Sequence, residues 1–198
     1  MKKVERLGVF GGTFDPPHIG HLALAERARD RLRLDRVLFV PAGQPPHKRR
    51  AGMSSAQDRL AMTRLAVRGA RAFRVSTMEL RAEGPSFTAR TVRALAQPGR
   101  RIFLLIGGDS LDDFRTWRDY EDILERVTLA VADRPGAGRA TSRAWARKRR
   151  VSWIGNPPLD VSSTMIRALA RERRSTRYLV PDAVARYIER RALYRSGR

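Results

Sequence analysis

The chain has 198 residues, with 41 Lys and Arg against 20 Asp and Glu, a formal net charge of +21 and no cysteine. A chain of this length can bury about 70% of the surface its unfolded form exposes, so one core forms without staples, and the missing Cys excludes disulfides and thiolate metal sites. No apolar run approaches the roughly 20 residues that span a bilayer, and Met1-Lys2-Lys3-Val4-Glu5-Arg6 has charge with no apolar region behind it, so one cytoplasmic domain over 1–198 is expected.

Of the basic residues only Lys2, Lys3, Lys48 and Lys148 are lysine. An Arg excess this lopsided, alongside abundant Ala, has the character of codon bias. Most of the charge is read as solvated, leaving a general positive potential that raises the encounter rate of anionic small molecules such as nucleotides.

The first element is an apolar strand, Leu7 to Phe10, joined by Gly11-Gly12-Thr13-Phe14-Asp15-Pro16-Pro17-His18 to a helix starting at about Ile19. Two glycines let backbone approach a ligand closely, and the first-turn N–H groups of a helix lack intrahelical partners and favour an anion. His18 and His21 project toward the same side. An ordinary turn, with a surface pair of histidines or a partial metal site, is the competing account. No third ligand joins the pair at helical spacing, so phosphate is the better-supported ligand.

Here the sequence resembles a family. The run G-G-T-F-D-P-x-H-x-G-H is similar to the signature of the adenylyl- and cytidylyltransferase superfamily, and in detail to the bacterial nicotinate-nucleotide adenylyltransferases. The resemblance implies that Gly11, Gly12, Thr13, Phe14, His18 and His21 hold ATP.

Leu22, Leu24, Ala25, Ala28 and Leu32 continue at helical spacing, and Val37 to Val40 reads as a buried strand ending at Pro41, making a βαβ unit. The Pro-, Gly- and Arg-rich segment from Ala42 to Ser54 is a loop. By resemblance its Pro45-Pro46-His47-Lys48 lies near the mononucleotide phosphate, and Lys48 is the matching cation. Ser54 or Ser55 caps a structural helix bearing Leu60, Met62, Leu65 and Ala66. Phe73 to Ser76 is a third strand, and Met78-Glu79-Leu80 continues extended. Ser86 reads as the N-cap of a helix carrying Val92 and Leu95. The resemblance sets Phe87, in place of the family's Tyr, and Thr88 at the pyridine site.

Ile102 to Ile106 is the most apolar run and should be a central strand buried on both faces. It feeds Gly107-Gly108-Asp109-Ser110, where Asp109 can accept from ribose hydroxyls or cap the following helix. The family's I-G-x-D-S favours the nucleotide. Trp117 reads from residue type as partly buried core. The resemblance, through T-W-x-x-Y at Thr116, Trp117 and Tyr120, makes it a flat partner for nicotinate, with Arg118 one step beyond. Val127 to Ala132 is a fifth strand, followed by Arg134 of the family's R-P-G. A basic surface excursion spans about 137–150, and Val151 to Ile154 is the last strand. From about residue 162 the chain is helical: Ser162, Ser163 and Thr164 open a helix bearing Arg167, a second anion site similar to the family's I-S-S-T-x-I-R. A final helix carries Val184 and Ile188 inward.

The expected fold is α/β, a doubly wound parallel sheet of the Rossmann-like nucleotidyltransferase type. The resemblance implies adenylyl transfer from ATP to nicotinate mononucleotide, with His18, His21 and Arg167 as catalytic residues. It places Gly11, Gly12, Thr13, Phe14, Asp109, Ser163 and Thr164 on ATP, and Lys48, Phe87, Thr88, Trp117, Arg118 and Arg134 on the mononucleotide. Mg²⁺ would ride mainly on the ATP phosphates, because no carboxylate cluster offers a protein-built metal site. Neither a membrane nor a specific nucleic acid is expected as partner. A sister transferase with another acceptor, nicotinamide mononucleotide or phosphopantetheine, and a basic nucleic-acid-binding protein are the alternatives.

Overall fold

The computed structural model describes residues 3–45, 52–133, 145–146, 150–155 and 159–195. The expectations for His47, Lys48, Arg134 and most of the basic excursion lie outside these residues. The elements are β1 (Glu5–Gly12), α1 (Ile19–Arg31), β2 (Arg36–Pro41), α2 (Ala56–Ala66), β3 (Phe73–Val75), α3 (Met78–Arg81), α4 (Thr88–Leu95), β4 (Arg100–Gly107) and α5 (Gly108–Asp113). A 3₁₀ turn (Phe114–Thr116) follows, then α6 (Tyr120–Arg126), β5 (Val127–Asp133), β6 (Val151–Gly155), α7 (Ser163–Arg171) and α8 (Asp182–Arg190).

The strands form one six-stranded parallel sheet in the order β3-β2-β1-β4-β5-β6. That is the doubly wound, Rossmann-like arrangement expected from the alternation of strands and helices. Its order reverses between β1 and β4, which pair with Val9 opposite Leu104, and a reversal of this kind leaves a crevice beyond the strand ends. The first ends in the pair Gly11-Gly12, and the second ends at Gly107, with Gly108 opening α5. A Cβ on Gly11 or Gly107 would meet nothing within 4 Å. In β4 every residue from Ile102 to Ile106 is at most 4% exposed, as a strand covered on both faces requires.

The contacts cluster into two compact units. One comprises Met1–Gly11, Ala23–Leu38 and Phe87–Pro158, the other Gly12–Leu22, Phe39–Ser86 and Leu159–Arg198. In the second unit Met62, Ala66, Ile166, Ala170, Val184 and Ile188, from the inward faces of α2, α7 and α8, form a buried core with Val161 and Val180 from the segments before the last two helices.

Two local expectations need correction. Met78 to Leu80 is not extended but part of a helical turn, closed by Arg81 N–H donating to the Thr77 carbonyl and preceded by Ser76, whose Oγ accepts from the Met78 amide. Met, Glu, Leu and Arg are good helix formers, and the serine supplies the start. Ser86 does not cap α4, whose N-cap is Phe87 with no side-chain bond. Its Oγ instead accepts from the Gly43 and Gln44 amides at 2.9 and 3.3 Å, satisfying loop donors more than 40 residues away.

Candidate active site

The second unit holds the loop from Gly12 to His18 and the start of α1. Gly12 lacks a Cβ where one would lie 3.1 Å from the Phe14 ring. That ring is buried, 5.7 Å between centroids from Phe39 and 5.2 Å, edge-on, from His21. Phe14 therefore turns its side chain into the core, beneath the second histidine.

His18 is the residue just before α1, and its carbonyl accepts from the His21 and Leu22 N–H groups at 2.9 and 3.3 Å, so the pair shares the first turn. The His18 N–H donates to His21 Nδ1 at 3.1 Å, and the two rings lie against each other with centroids 3.7 Å apart and a tilt of 36°. Because Nδ1 of His21 accepts, a neutral His21 carries its proton on Nε2. The glycine between them has a steric reason: a Cβ on Gly20 would lie 3.1 Å from the His18 ring and from Val161. Not every first-turn amide is open, since Ile19 N–H donates to the Leu179 carbonyl at 3.0 Å.

The start of α7 meets this loop. Ser162 caps the helix by accepting from Met165 N–H. Ser163 Oγ donates to the Pro16 carbonyl at 2.8 Å. Arg167 donates through Nη1 to the Asp15 carbonyl at 2.8 Å and through Nη2 to Thr164 Oγ1 at 3.1 Å. The loop's Asp15 carbonyl, with the Thr164 hydroxyl, thus orients the guanidinium that the sequence singled out.

Three residues that the sequence did not single out belong to the same cluster. Arg59 of α2 is 1% exposed and donates to four carbonyls, those of Thr13, Ala42, Gly43 and Ser54, at 2.6 to 3.4 Å. Burial pushes its guanidinium below the ordinary arginine value, opposed by the charge of Asp15. The Asp15 carboxylate, 5% exposed, accepts from the Tyr194 hydroxyl at 2.8 Å and from Ser54 N–H at 3.4 Å. Burial first, and the Asp15 charge second, raise the Tyr194 phenol well above its usual value, so it stays a donor.

The remaining described candidates belong to the first unit. Gly11 is the penultimate residue of β1. Asp109 is exposed in the first turn of α5, where the N-cap is Gly107, so Asp109 is not the cap. Thr88 is the first residue of α4. Trp117 is half-buried, its ring 5.1 Å from that of the fully buried Phe114. The turn bearing it is fixed by Thr116 Oγ1 donating to the Asp113 carbonyl at 2.7 Å. Asp119, in the left-handed region at φ 55°, and Asp122 both accept from Arg93 at 2.9 and 2.8 Å. Arg118 lies over the Phe87 ring at 4.9 Å, so the structure brings these two candidates together.

Paired histidines at a helix start, with an arginine held on the loop after β1, suit a nucleotidyltransferase, the class to which similarity to known proteins assigns the chain. The family model described as cytidylyltransferase-like matches residues 9–169. Relatives from Geobacter sulfurreducens, 44% identical over 96% of this chain and 98% of their own, and from Salinibacter ruber, 42% identical over 96% and 97%, are each curated as a probable nicotinate-nucleotide adenylyltransferase. The chain belongs to the nicotinate-nucleotide adenylyltransferase family. The Plasmodium falciparum nicotinic acid mononucleotide adenylyltransferase solved with NaAD shares the fold, with a TM-score of 0.78 at 15% identity over 96% of this chain and 97% of that one.

Proposed function

We propose that the enzyme transfers the adenylyl group of ATP to nicotinate mononucleotide, giving nicotinate adenine dinucleotide and pyrophosphate in the cytoplasm. An oxygen of the mononucleotide phosphate forms a bond to the α-phosphorus, the bond from that phosphorus to the bridging oxygen of the β-phosphate breaks, and pyrophosphate leaves with the electron pair. The nucleophile has a second pKa near 6 and arrives largely ionised, so no general base is needed. The remaining work is to align two anions and stabilise charge on the transferring and leaving phosphates.

One observation carries this reading: the paired His18 and His21, 3.7 Å apart between ring centroids, share a unit with Arg167, which is held on the Asp15 carbonyl. In the reaction His18, His21 and Arg167 donate to the triphosphate, helped by Ser163, Thr164 and the backbone of Gly11 to Phe14. Asp109 accepts from the ribose. Phe87, Thr88, Trp117 and Arg118 take the nicotinate, and Lys48 and Arg134 its phosphate and carboxylate. Among the described residues no three His, Asp or Glu gather to hold a metal. In this reading Mg²⁺ enters on the ATP phosphates. When bound there it supplies charge neutralisation at the phosphates. Also among the described residues, no helix is long and apolar enough to cross a membrane.

The test is pyrophosphate release from ATP and Mg²⁺ with nicotinate mononucleotide, run beside nicotinamide mononucleotide. A strong preference for the acid is expected. Equal use would retire the roles given to Thr88, Trp117 and Arg118, and release with neither would overturn the acceptor.

A further inference from the structure

The loop from Thr13 to His18 has three of its carbonyls held by side chains from elsewhere. Thr13 is held by Arg59 of α2, and Asp15 and Pro16 are held by Arg167 and Ser163 of α7. Asp15 is bound twice over, because its carboxylate also receives the Tyr194 hydroxyl at 2.8 Å. The residue that orients Arg167 through its backbone is therefore fixed through its side chain by a tyrosine 179 positions away. Two residues beyond Pro16, the same loop delivers the His18 N–H to His21 Nδ1. A displacement of Asp15 would consequently reach Arg167 on one side and the histidine pair on the other.

We propose that Tyr194 is a positioning residue for adenylyl transfer, acting through Asp15 to set Arg167 and the His18–His21 pair. The inference rests on the function proposed above, but its geometry does not. Packing alone does not account for the hydroxyl. The Tyr194 ring lies against the core of the second unit, and phenylalanine would fill that space equally well. Instead the hydroxyl joins a buried array in which the Asp15 charge faces the Arg59 guanidinium through low-dielectric surroundings, where each polar contact is strong and costly to remove. Small misplacement of aligned groups lowers turnover out of proportion to binding.

Tyr194→Phe keeps the ring and deletes the donor. Turnover with ATP and nicotinate mononucleotide should fall by about tenfold or more while KM for ATP changes by less than about threefold. Asp15→Asn should fall similarly, and the double variant should be no slower than the slower single variant, because both act through one contact. The ¹⁵N resonances of the His18 and His21 rings, recorded without substrate, should move in Tyr194→Phe. Unchanged turnover accompanied only by a lower Tm, or effects that multiply in the double variant, would overturn the proposal. If the wild-type protein does not use nicotinate mononucleotide, the proposed function fails. The ring resonances still decide the positioning role, and unmoved resonances would remove it.

Discussion

At the scale of single residues, the site depends on what is missing as much as on what is present. Gly43 is the sharpest case: a Cβ there would run into the Glu79 carbonyl oxygen, a backbone atom that cannot swing aside. Gly43→Ala should cost about 3 kcal/mol and lower Tm by about 10 °C in a thermal melt, because overpacking against backbone must be relieved by moving a chain segment. His18 gives a prediction of a different kind. In the proposed reaction its contact would strengthen as charge builds at the α-phosphorus, so His18→Ala should reduce kcat at least about a hundredfold with a much smaller change in KM. An unchanged turnover number in steady-state assays would remove His18 from the mechanism. Arg59 shows where residue-level reading stops. In a chain with 41 Lys and Arg, one more arginine on a helix looks solvated. Its burial among four carbonyls follows from where the loops pass, which no local pattern carries.

Among the elements, α2 was legible as a capped helix with an apolar stripe, and Ser55 does accept from Asp58 N–H at 3.0 Å. Its polar face was not legible, because Asp58 finds partners more than 120 positions away: the Tyr187 hydroxyl at 2.8 Å and Arg191 at 3.3 Å. Burial pushes the Asp58 carboxyl up, but the hydrogen bonds from Ser55 and Tyr187 and the charge of Arg191 outweigh it and hold the group below the ordinary value. A carboxyl lowered on folding contributes stability that is complete above its unfolded value of about 4 and is lost as pH falls through the folded value. Asp58→Asn should therefore unfold more easily than the wild-type protein at pH 7, by about 2 kcal/mol. The gap should close in melts recorded at pH values low enough to protonate the folded-state carboxyl, below the ordinary carboxylate range. A gap independent of pH would mean that the charge of Asp58 plays no part. Ser86 teaches the same lesson in reverse: a serine beside a helix start has a local explanation as a cap, yet its hydroxyl serves the Gly43 and Gln44 amides.

For the molecule as a whole, the doubly wound parallel sheet and the ends of β1 and β4 were readable because alternating strands and helices, with apolar runs bounded by glycines, leave few ways to build a parallel sheet. The signature loop was readable too, though the contacts that hold it came from α2, α7 and Tyr194, long-range partners that periodicity does not encode. Net charge belongs to this scale. At +21 the chain attracts both anionic substrates, so kcat/KM for ATP should fall several-fold as salt rises from about 50 to 500 mM, while kcat changes little. A flat profile in stopped-flow or steady-state measurements would leave the Arg excess without a kinetic effect. The bond between Tyr194 and Asp15 also has a meaning in time. The two residues are separated by 179 positions, and synthesis adds about 5 to 20 residues per second. During the intervening tens of seconds the signature loop is already made but lacks its tyrosine, so a growing chain that meets ATP in the cell meets it with the loop still unlatched.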